Sequence, residues 1–193
     1  MRKINNIFLK KKILIYGLGK SGISTYNFLR QKAQINLFND NPQNNLKFDI
    51  GTLSFSKIIK SHFDFIIISP GIDCSNCRLS KYLKQNSSKI YTDLDVFYSF
   101  FSNDSITITG TNGKSTTAKL LYDVLRDQKK DARLIGNIGN PALSEKKITK
   151  KTFFIIEASS YQLDYSKIFR SKYSVILNII ATTPNSSEIT EMI

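Results

Sequence analysis

The 193-residue chain has no tryptophan, one histidine, two cysteines and two methionines. Those scarcities exclude several classes of chemistry. Cys74 and Cys77, in Cys-Ser-Asn-Cys, offer two ligands to zinc, and a single histidine cannot complete a tetrahedral site. A redox pair would open a helix directly after a strand. The stretch following Pro70-Gly71 does not read that way, so ordinary reduced thiols are expected. His62, between Ser61 and Phe63 at a strand entrance, reads as incidental to any reaction. Long apolar runs are missing too: none approaches the roughly 20 residues of a membrane span. The opening MRKINNIFLKKKILIYGLG sets basic residues on both sides of a very short apolar patch, unlike a secretory signal. A cytoplasmic protein is expected, with no membrane partner.

Acidic residues are outnumbered, 15 Asp and Glu against 28 Lys and Arg, for a formal net charge of +13. Such an excess invites a nucleic-acid partner. The cations are scattered, however, with Lys10 to Lys12, Lys129-Lys130, Lys146-Lys147 and Lys150-Lys151 near element ends. That distribution describes a solvated basic surface better than a binding groove, and no nucleic-acid partner is expected. With 41% hydrophobic residues the chain can bury a core, and its length allows one large or two small domains.

What the chain does have is a strong pattern from Ser105 to Leu121, SITITGTNGKSTTAKLL. Ile106 to Thr109 is a β-branched run that reads as a buried strand. Gly110-Thr111-Asn112-Gly113 is a sharp turn, and from Lys114-Ser115-Thr116 onward apolar residues recur at helical spacing. Strand, glycine turn, lysine with hydroxyls, and helix is the order of a phosphate-binding loop. Backbone N–H groups curl round a polyphosphate while the helix points its positive end at it. Lys114 would reach the outer phosphates and Ser115 or Thr116 would offer a hydroxyl to Mg²⁺. The longer form, G-x-x-x-x-G-K-S/T, would need glycine where Ile108 stands, so the shorter form G-x-x-G-K-S-T applies. A nucleoside triphosphate site is predicted.

A second glycine turn lies near the start. Strand Ile13 to Tyr16 runs into Gly17-Leu18-Gly19-Lys20-Ser21-Gly22, followed by a helix and a strand, Gln34 to Phe38, ending near Asp40. This G-x-G-x-x-G opening of a βαβ unit suits a pyrophosphate, with Asp40 placed to read a nucleoside or ribose. Phe63 to Ser69 reads as a strand buried on both faces, and its Ser-Pro-Gly end sets Gly71 at the carboxyl edge of the sheet. Asn41 to Lys60 reads as a loop and a short element. A helix is predicted over 77–85, a strand over 89–91, and a helix over 93–101 capped by Thr92 or Asp93. Strands are predicted at Ala132 to Ile135, Phe153 to Ile156 and Tyr173 to Ile179, with a further glycine-rich turn at Gly136 to Pro141. Glu157 closes the 153–156 strand, where a carboxylate can hold Mg²⁺ directly or through water. The competing reading makes it a charge ahead of the helix beginning near Ser159.

GTNGKSTT, GNIGNPAL, EASSYQL and ILNI, in that order, together with the opening YGLGKSGIS and the later SPGI, resemble the Mur ligases, and among them most nearly the D-glutamate-adding members. GTNGKST is shared with folylpolyglutamate synthases. The resemblance runs to about Ile179. It implies an α/β fold, with a Rossmann-like UDP-substrate-binding domain over 1–97 and part of a central P-loop ATP-binding domain over 98–193. It also implies an ATP- and Mg²⁺-dependent ligase, a monomer in the cytoplasm. That enzyme adds D-glutamate to UDP-N-acetylmuramoyl-L-alanine through an acyl phosphate, in peptidoglycan precursor synthesis, which serves cell wall, shape and division. By matching position Gly110, Thr111, Asn112, Gly113, Lys114, Ser115 and Thr116 cradle ATP. Lys114 and Glu157 are the catalytic residues, with Ser115 and Glu157 on the metal. Asn137, Ser159 and Gln162 contact the UDP-substrate, and Lys20, Ser21, Asp40 and Gly71 hold its uridine diphosphate, which replaces the dinucleotide reading of the first glycine turn.

The chain departs from the family after Asn178-Ile179. The Thr/Ser-x-Asp-His motif is missing, as are the lysine the family carbamylates and a third domain. Residues 180–193 are therefore expected to be an aberrant, frameshifted tail, and the chain an inactive or partial fragment. The alternatives are a non-catalytic UDP-sugar or ATP-binding module, another Mur ligase or folylpolyglutamate synthase relative, and, lower, an NAD-dependent oxidoreductase resting on Gly17 to Gly22.

Overall fold

The computed structural model describes residues 6–40 and 51–180. Its contacts divide the chain into two compact units. The first is Met1–Ser102 with Pro141–Glu145 and Tyr165–Phe169; the second is Asn103–Asn140, Lys146–Asp164 and Arg170–Ile193.

The first unit contains β1 (Lys12–Tyr16), α1 (Lys20–Leu29), β2 (Gln34–Phe38), α2 (Phe55–Ile59), β3 (Phe65–Ile68), α3 (Ser80–Gln85), β4 (Ile90–Thr92) and α4 (Asp93–Phe100). Its sheet has the order β2-β1-β3-β4, and every pairing is parallel. Parallel strands covered on both faces need unbroken apolar runs, and Ile13, Leu14, Ile15 and Tyr16 of β1 are all fully buried. Leu14, Tyr16, Phe38, Phe63, Ile66 and Ile68 form the centre of this core with Leu79 and Leu83. Chain order reverses between β1 and β3, which makes the carboxyl ends of those two strands the crevice of a Rossmann-like sheet.

In the second unit β5 (Ser105–Thr109) leads into α5 (Lys114–Asp127), then β6 (Ala132–Gly136), β7 (Phe153–Glu157), α6 (Ser160–Tyr165) and β8 (Tyr173–Ile176). The order is β6-β7-β5-β8, again parallel throughout. α5 seats Ala118 in a small buried cluster with Ile108, Ala132 and Ile155. It leaves Leu120 and Val124 exposed. Glu157 pairs with Ile108 in register, so the last residue of β7 stands one strand away from the root of the turn at Gly110.

Several boundaries differ from the sequence reading. The strand expected from Phe63 to Ser69 is shorter, because Asp64 lies before the β1–β3 ladder and uses its carboxylate to accept the Lys12 N–H at 2.8 Å. Phe63 is buried all the same. The 77–85 helix begins only at Ser80. The last strand stops at Ile176 rather than Ile179, because the chain beyond it turns to bond the β5–α5 loop. The short element expected in 41–60 is α2, and residues 41–50 lie outside the described residues, as does the expected aberrant tail except Ile180. Among the described residues no helix is long and apolar enough to cross a membrane.

Candidate functional site

In the first unit the glycine turn is built by close approach. A Cβ on Gly22 would stand 1.9 Å from the carbonyl oxygen of Gly17, so the third glycine of the motif lets α1 press against the end of β1. The Ser69 hydroxyl, just past β3, donates to that same Gly17 carbonyl at 2.7 Å. Gly17 N–H donates to the Phe38 carbonyl at 3.0 Å. Leu18 N–H donates to Asn39 Oδ1 at 3.3 Å. Gly19 caps α1 without a side-chain bond and no acidic residue sits in the first turn, so the helix's own side chains leave the positive end of its ten residues uncompensated. Lys20 is exposed and Ser21 half-buried at that end. Ser21 Oγ donates to Asp93 Oδ2, itself 4% exposed at the start of α4.

Asp40 is exposed at the end of the β2 segment, and the Tyr16 hydroxyl donates to its Oδ2 at 2.6 Å. Burial, followed by the bond to Asp40, pushes the Tyr16 phenol far above its ordinary range, so it stays a neutral donor. A buried tyrosine thereby orients a surface carboxylate. Gly71 is exposed in the turn after β3. Of the first-unit residues singled out from sequence, Lys20 and Ser21 open one helix end, and Asp40 and Gly71 follow β2 and β3 on the same carboxyl side of the sheet.

In the second unit the turn after β5 carries Lys114 at the first position of α5. Its Nζ donates to the carbonyls of Gly110, at 2.5 Å, and Thr111, at 2.9 Å. The ammonium therefore lies over the loop. α5 has no side-chain N-cap and no acidic residue in its first turn, while Ser115 and Thr116 are exposed beside those N–H groups. This is the local chemistry of an anion cradle.

Glu157 ends β7 and is 4% exposed. Its Oε2 has no hydrogen-bond partner among the described residues, nor has Thr107 Oγ1 of β5. An orphaned buried carboxylate oxygen is costly in a finished structure, and a divalent cation is the kind of group that would satisfy it. The described residues contain no cluster of three or more His, Cys, Asp or Glu that could hold a metal unaided. Mg²⁺ suits such a sparse donor set, since it is commonly held by one or two carboxylates with substrate phosphates and water.

Asn137, following β6, is exposed and donates its N–H to the Glu157 carbonyl at 2.9 Å. Ser159 and Gln162 make a reciprocal cap at the start of α6: Gln162 N–H donates to Ser159 Oγ at 3.2 Å and Ser159 N–H to Gln162 Oε1 at 3.3 Å. That capping box gives both residues a structural task, and leaves Gln162 buried while Ser159 is half-buried. Sequence reading passed over Asp93, Tyr16 and Asn178 as site groups. No motif spacing flags the first two, because each acts through a residue far along the chain.

Residues 108–182 match the Mur ligase middle domain. The chain is 37% identical over 182 residues to the UDP-N-acetylmuramoylalanine–D-glutamate ligase of Rickettsia felis, covering 90% of this chain and 39% of that protein. The enzyme of the same name from Lachnoclostridium phytofermentans is 35% identical over 185 residues, 89% of this chain and 40% of that protein. The chain thus spans about two fifths of the length of these relatives. A crystal structure of UDP-N-acetylmuramate:L-alanyl-gamma-D-glutamyl-meso-diaminopimelate ligase from Neisseria meningitides aligns with a TM-score of 0.50 and 15% identity. The alignment covers 88% of this chain and 61% of that one. At that identity the likeness concerns the fold.

Proposed function

The chain belongs to the Mur ligase family, and from that premise we propose that it is the nucleotide-handling part of a cytoplasmic ligase that joins D-glutamate to UDP-N-acetylmuramoyl-L-alanine, a step in building peptidoglycan precursors and so in cell wall, shape and division. The observation that carries this reading is the pairing in one sheet of the Gly110–Thr116 turn with the orphaned Glu157 on the neighbouring strand.

The chemistry asks for such a pairing. A carboxylate oxygen of the L-alanine end must attack the γ-phosphorus of ATP, expelling ADP and giving an acyl phosphate. The amine of D-glutamate then attacks the acyl carbon, the C–O bond to phosphate breaks, and the amine proton departs. The first approach brings anion to anion, so positive groups fixed beforehand lower its barrier. Lys114 supplies an ammonium once it releases the carbonyls of Gly110 and Thr111. The N–H groups at the start of α5, with Ser115 and Thr116, bind and orient the phosphates. Glu157 and the Ser115 hydroxyl would hold Mg²⁺, whose chemistry when bound is neutralisation of phosphate charge. In the first unit Lys20, Ser21, Asp40 and Gly71 receive the uridine diphosphate, with Asp40 held in place by Tyr16. In the second unit Asn137 and Ser159 are the residues assigned to the UDP-substrate, and Gln162 supports Ser159 through the cap. The protein acts as a monomer.

Because the chain spans two fifths of its relatives, we propose little or no ligase turnover from it alone, and nucleotide binding as its retained property. Calorimetric titration with a non-hydrolysable ATP analogue and Mg²⁺ tests this. Wild type should bind, Lys114→Ala should weaken binding by about 10- to 100-fold, the worth of a charge-assisted hydrogen bond, and Glu157→Gln should abolish the Mg²⁺ dependence. No binding by wild type would overturn the reading. Rapid phosphate release with both substrates and ATP would overturn the claim of inactivity.

A further inference from the structure

Beyond β8 the chain returns to the phosphate loop and bonds to it at Thr111 and Asn112. Thr111 N–H donates to the Asn178 carbonyl at 3.0 Å. Asn112 N–H donates to Asn178 Oδ1 at 2.9 Å, and Asn178 Nδ2 donates to the Asn112 carbonyl at 3.0 Å. Ile180 N–H adds a bond to Thr111 Oγ1 at 3.0 Å. The reciprocal pair between a side-chain amide and the peptide of one residue has a single workable orientation. Oxygen must face the N–H and nitrogen the carbonyl, as the donor and acceptor sets of asparagine allow. The approach is close: a Cβ on Gly110 would lie 3.0 Å from the Asn178 carbonyl oxygen and 3.1 Å from its nitrogen. Gly110 lies at φ +140°, so glycine at that position permits the contact on both counts.

These bonds divide the loop into two halves. The N–H groups of Thr111 and Asn112 are spent on Asn178, so they do not face an anion. The donors left for phosphate are those at the uncapped start of α5 and the Lys114 ammonium. We propose that Asn178 is a positioning residue of the nucleotide site, clamping the first half of the loop so that its second half is already shaped for phosphate. The inference rests on the reading of residues 110–116 as a phosphate site. Its energetic content is pre-organisation: the ordering cost of a glycine-flanked turn is met on folding and not at binding. Asn178 is half-buried and Asn112 exposed, so removing the side-chain amide loosens the loop while leaving the buried cluster behind it intact.

The test uses the 193-residue chain and two readouts. Amide hydrogen exchange followed by NMR reports the clamp directly. Calorimetry with a non-hydrolysable ATP analogue reports its consequence. For Asn178→Ala, exchange at Asn112 should accelerate about tenfold, as loss of one to two net hydrogen bonds implies, while Ile108 in β5 stays unchanged. Nucleotide affinity should fall by about the same factor. Asn178→Asp, near-isosteric, keeps the acceptor for Asn112 N–H but faces its carbonyl with a second acceptor. It should show intermediate exchange, and it serves if the alanine variant does not fold. Wild-type binding that Asn178→Ala leaves unaltered overturns this proposal alone, as does unchanged exchange at Asn112. A wild-type chain without nucleotide affinity, equally indifferent to Lys114→Ala, overturns the underlying reading and the proposal with it.

Discussion

Asp95 should be among the most costly side chains to remove from the first unit. It is fully buried in α4. Its Oδ1 accepts the N–H groups of Lys167, Ile168 and Phe169 at 2.9, 2.8 and 2.9 Å. Its Oδ2 accepts Thr92 N–H at 2.9 Å and completes a capping box with the Thr92 hydroxyl. One carboxylate thus serves four backbone donors, three of them in a segment more than seventy residues away in sequence. Asp95→Ala leaves those donors without their acceptor. At about 1 kcal/mol for each, the lower end of the cost of an unpaired buried group, the loss is about 4 kcal/mol. Against a typical total of about 5–15 kcal/mol, that would unfold an appreciable share of the chain under mild denaturant. Asp95→Asn retains one acceptor oxygen but turns an NH₂ group towards N–H donors, and should cost about 2 kcal/mol. Urea unfolding followed by far-UV circular dichroism measures both. Exchange at Lys167, Ile168 and Phe169 should accelerate in the same variants. An alanine variant within about 1 kcal/mol of wild type, below the stated per-bond sum, would refute the reasoning and show that water or relaxation replaces the carboxylate.

Two further outcomes follow from the same geometry. Gly22→Ala puts a methyl group 1.9 Å from the Gly17 carbonyl, a backbone atom that cannot swing away; α1 must move off β1, costing about 3 kcal/mol by urea unfolding, with loss of any UDP affinity seen in wild type. Asp131 is held below the ordinary carboxylate range first by the Thr152 hydroxyl and then by Arg133, against an opposing effect of burial. A carboxyl depressed in the folded state binds protons more readily when unfolded, so its contribution to stability is present above the ordinary aspartate value of 3.8 and fades as pH falls through the lower folded value. Asp131→Asn should therefore flatten the acid limb of thermal melts below that pH, and a limb of unchanged steepness would count against the assignment.

The elements were largely legible because each rests on local pattern. Continuous apolar runs mark parallel strands buried on both faces, and Ile13 to Tyr16 and Phe153 to Ile156 lie within observed strands. Thr92 or Asp93 as a cap signals the start of α4, and Thr92 is the cap observed, in a box that Asp95 completes. The order of strand, glycines, lysine and helix likewise places Lys114 at a helix start without any long-range knowledge. Boundaries were less legible where a side chain competes with the ladder, as Asp64 does at the entrance to β3.

Connections between distant residues had no such signature. Nothing in the neighbourhood of Asp40 announces that Tyr16 holds it, nor does the run ILNI announce that Asn178 reaches across sixty-six positions to Asn112. Periodicity records what a residue does to its neighbours within a turn or a pleat, and that is set by covalent geometry. Which carboxylate, amide or phenol meets which partner depends on how parallel strands are ordered in the sheet. In this chain the order β6-β7-β5-β8 brought Glu157 beside the root of the β5–α5 loop, and the residues after β8 into hydrogen bonds with it.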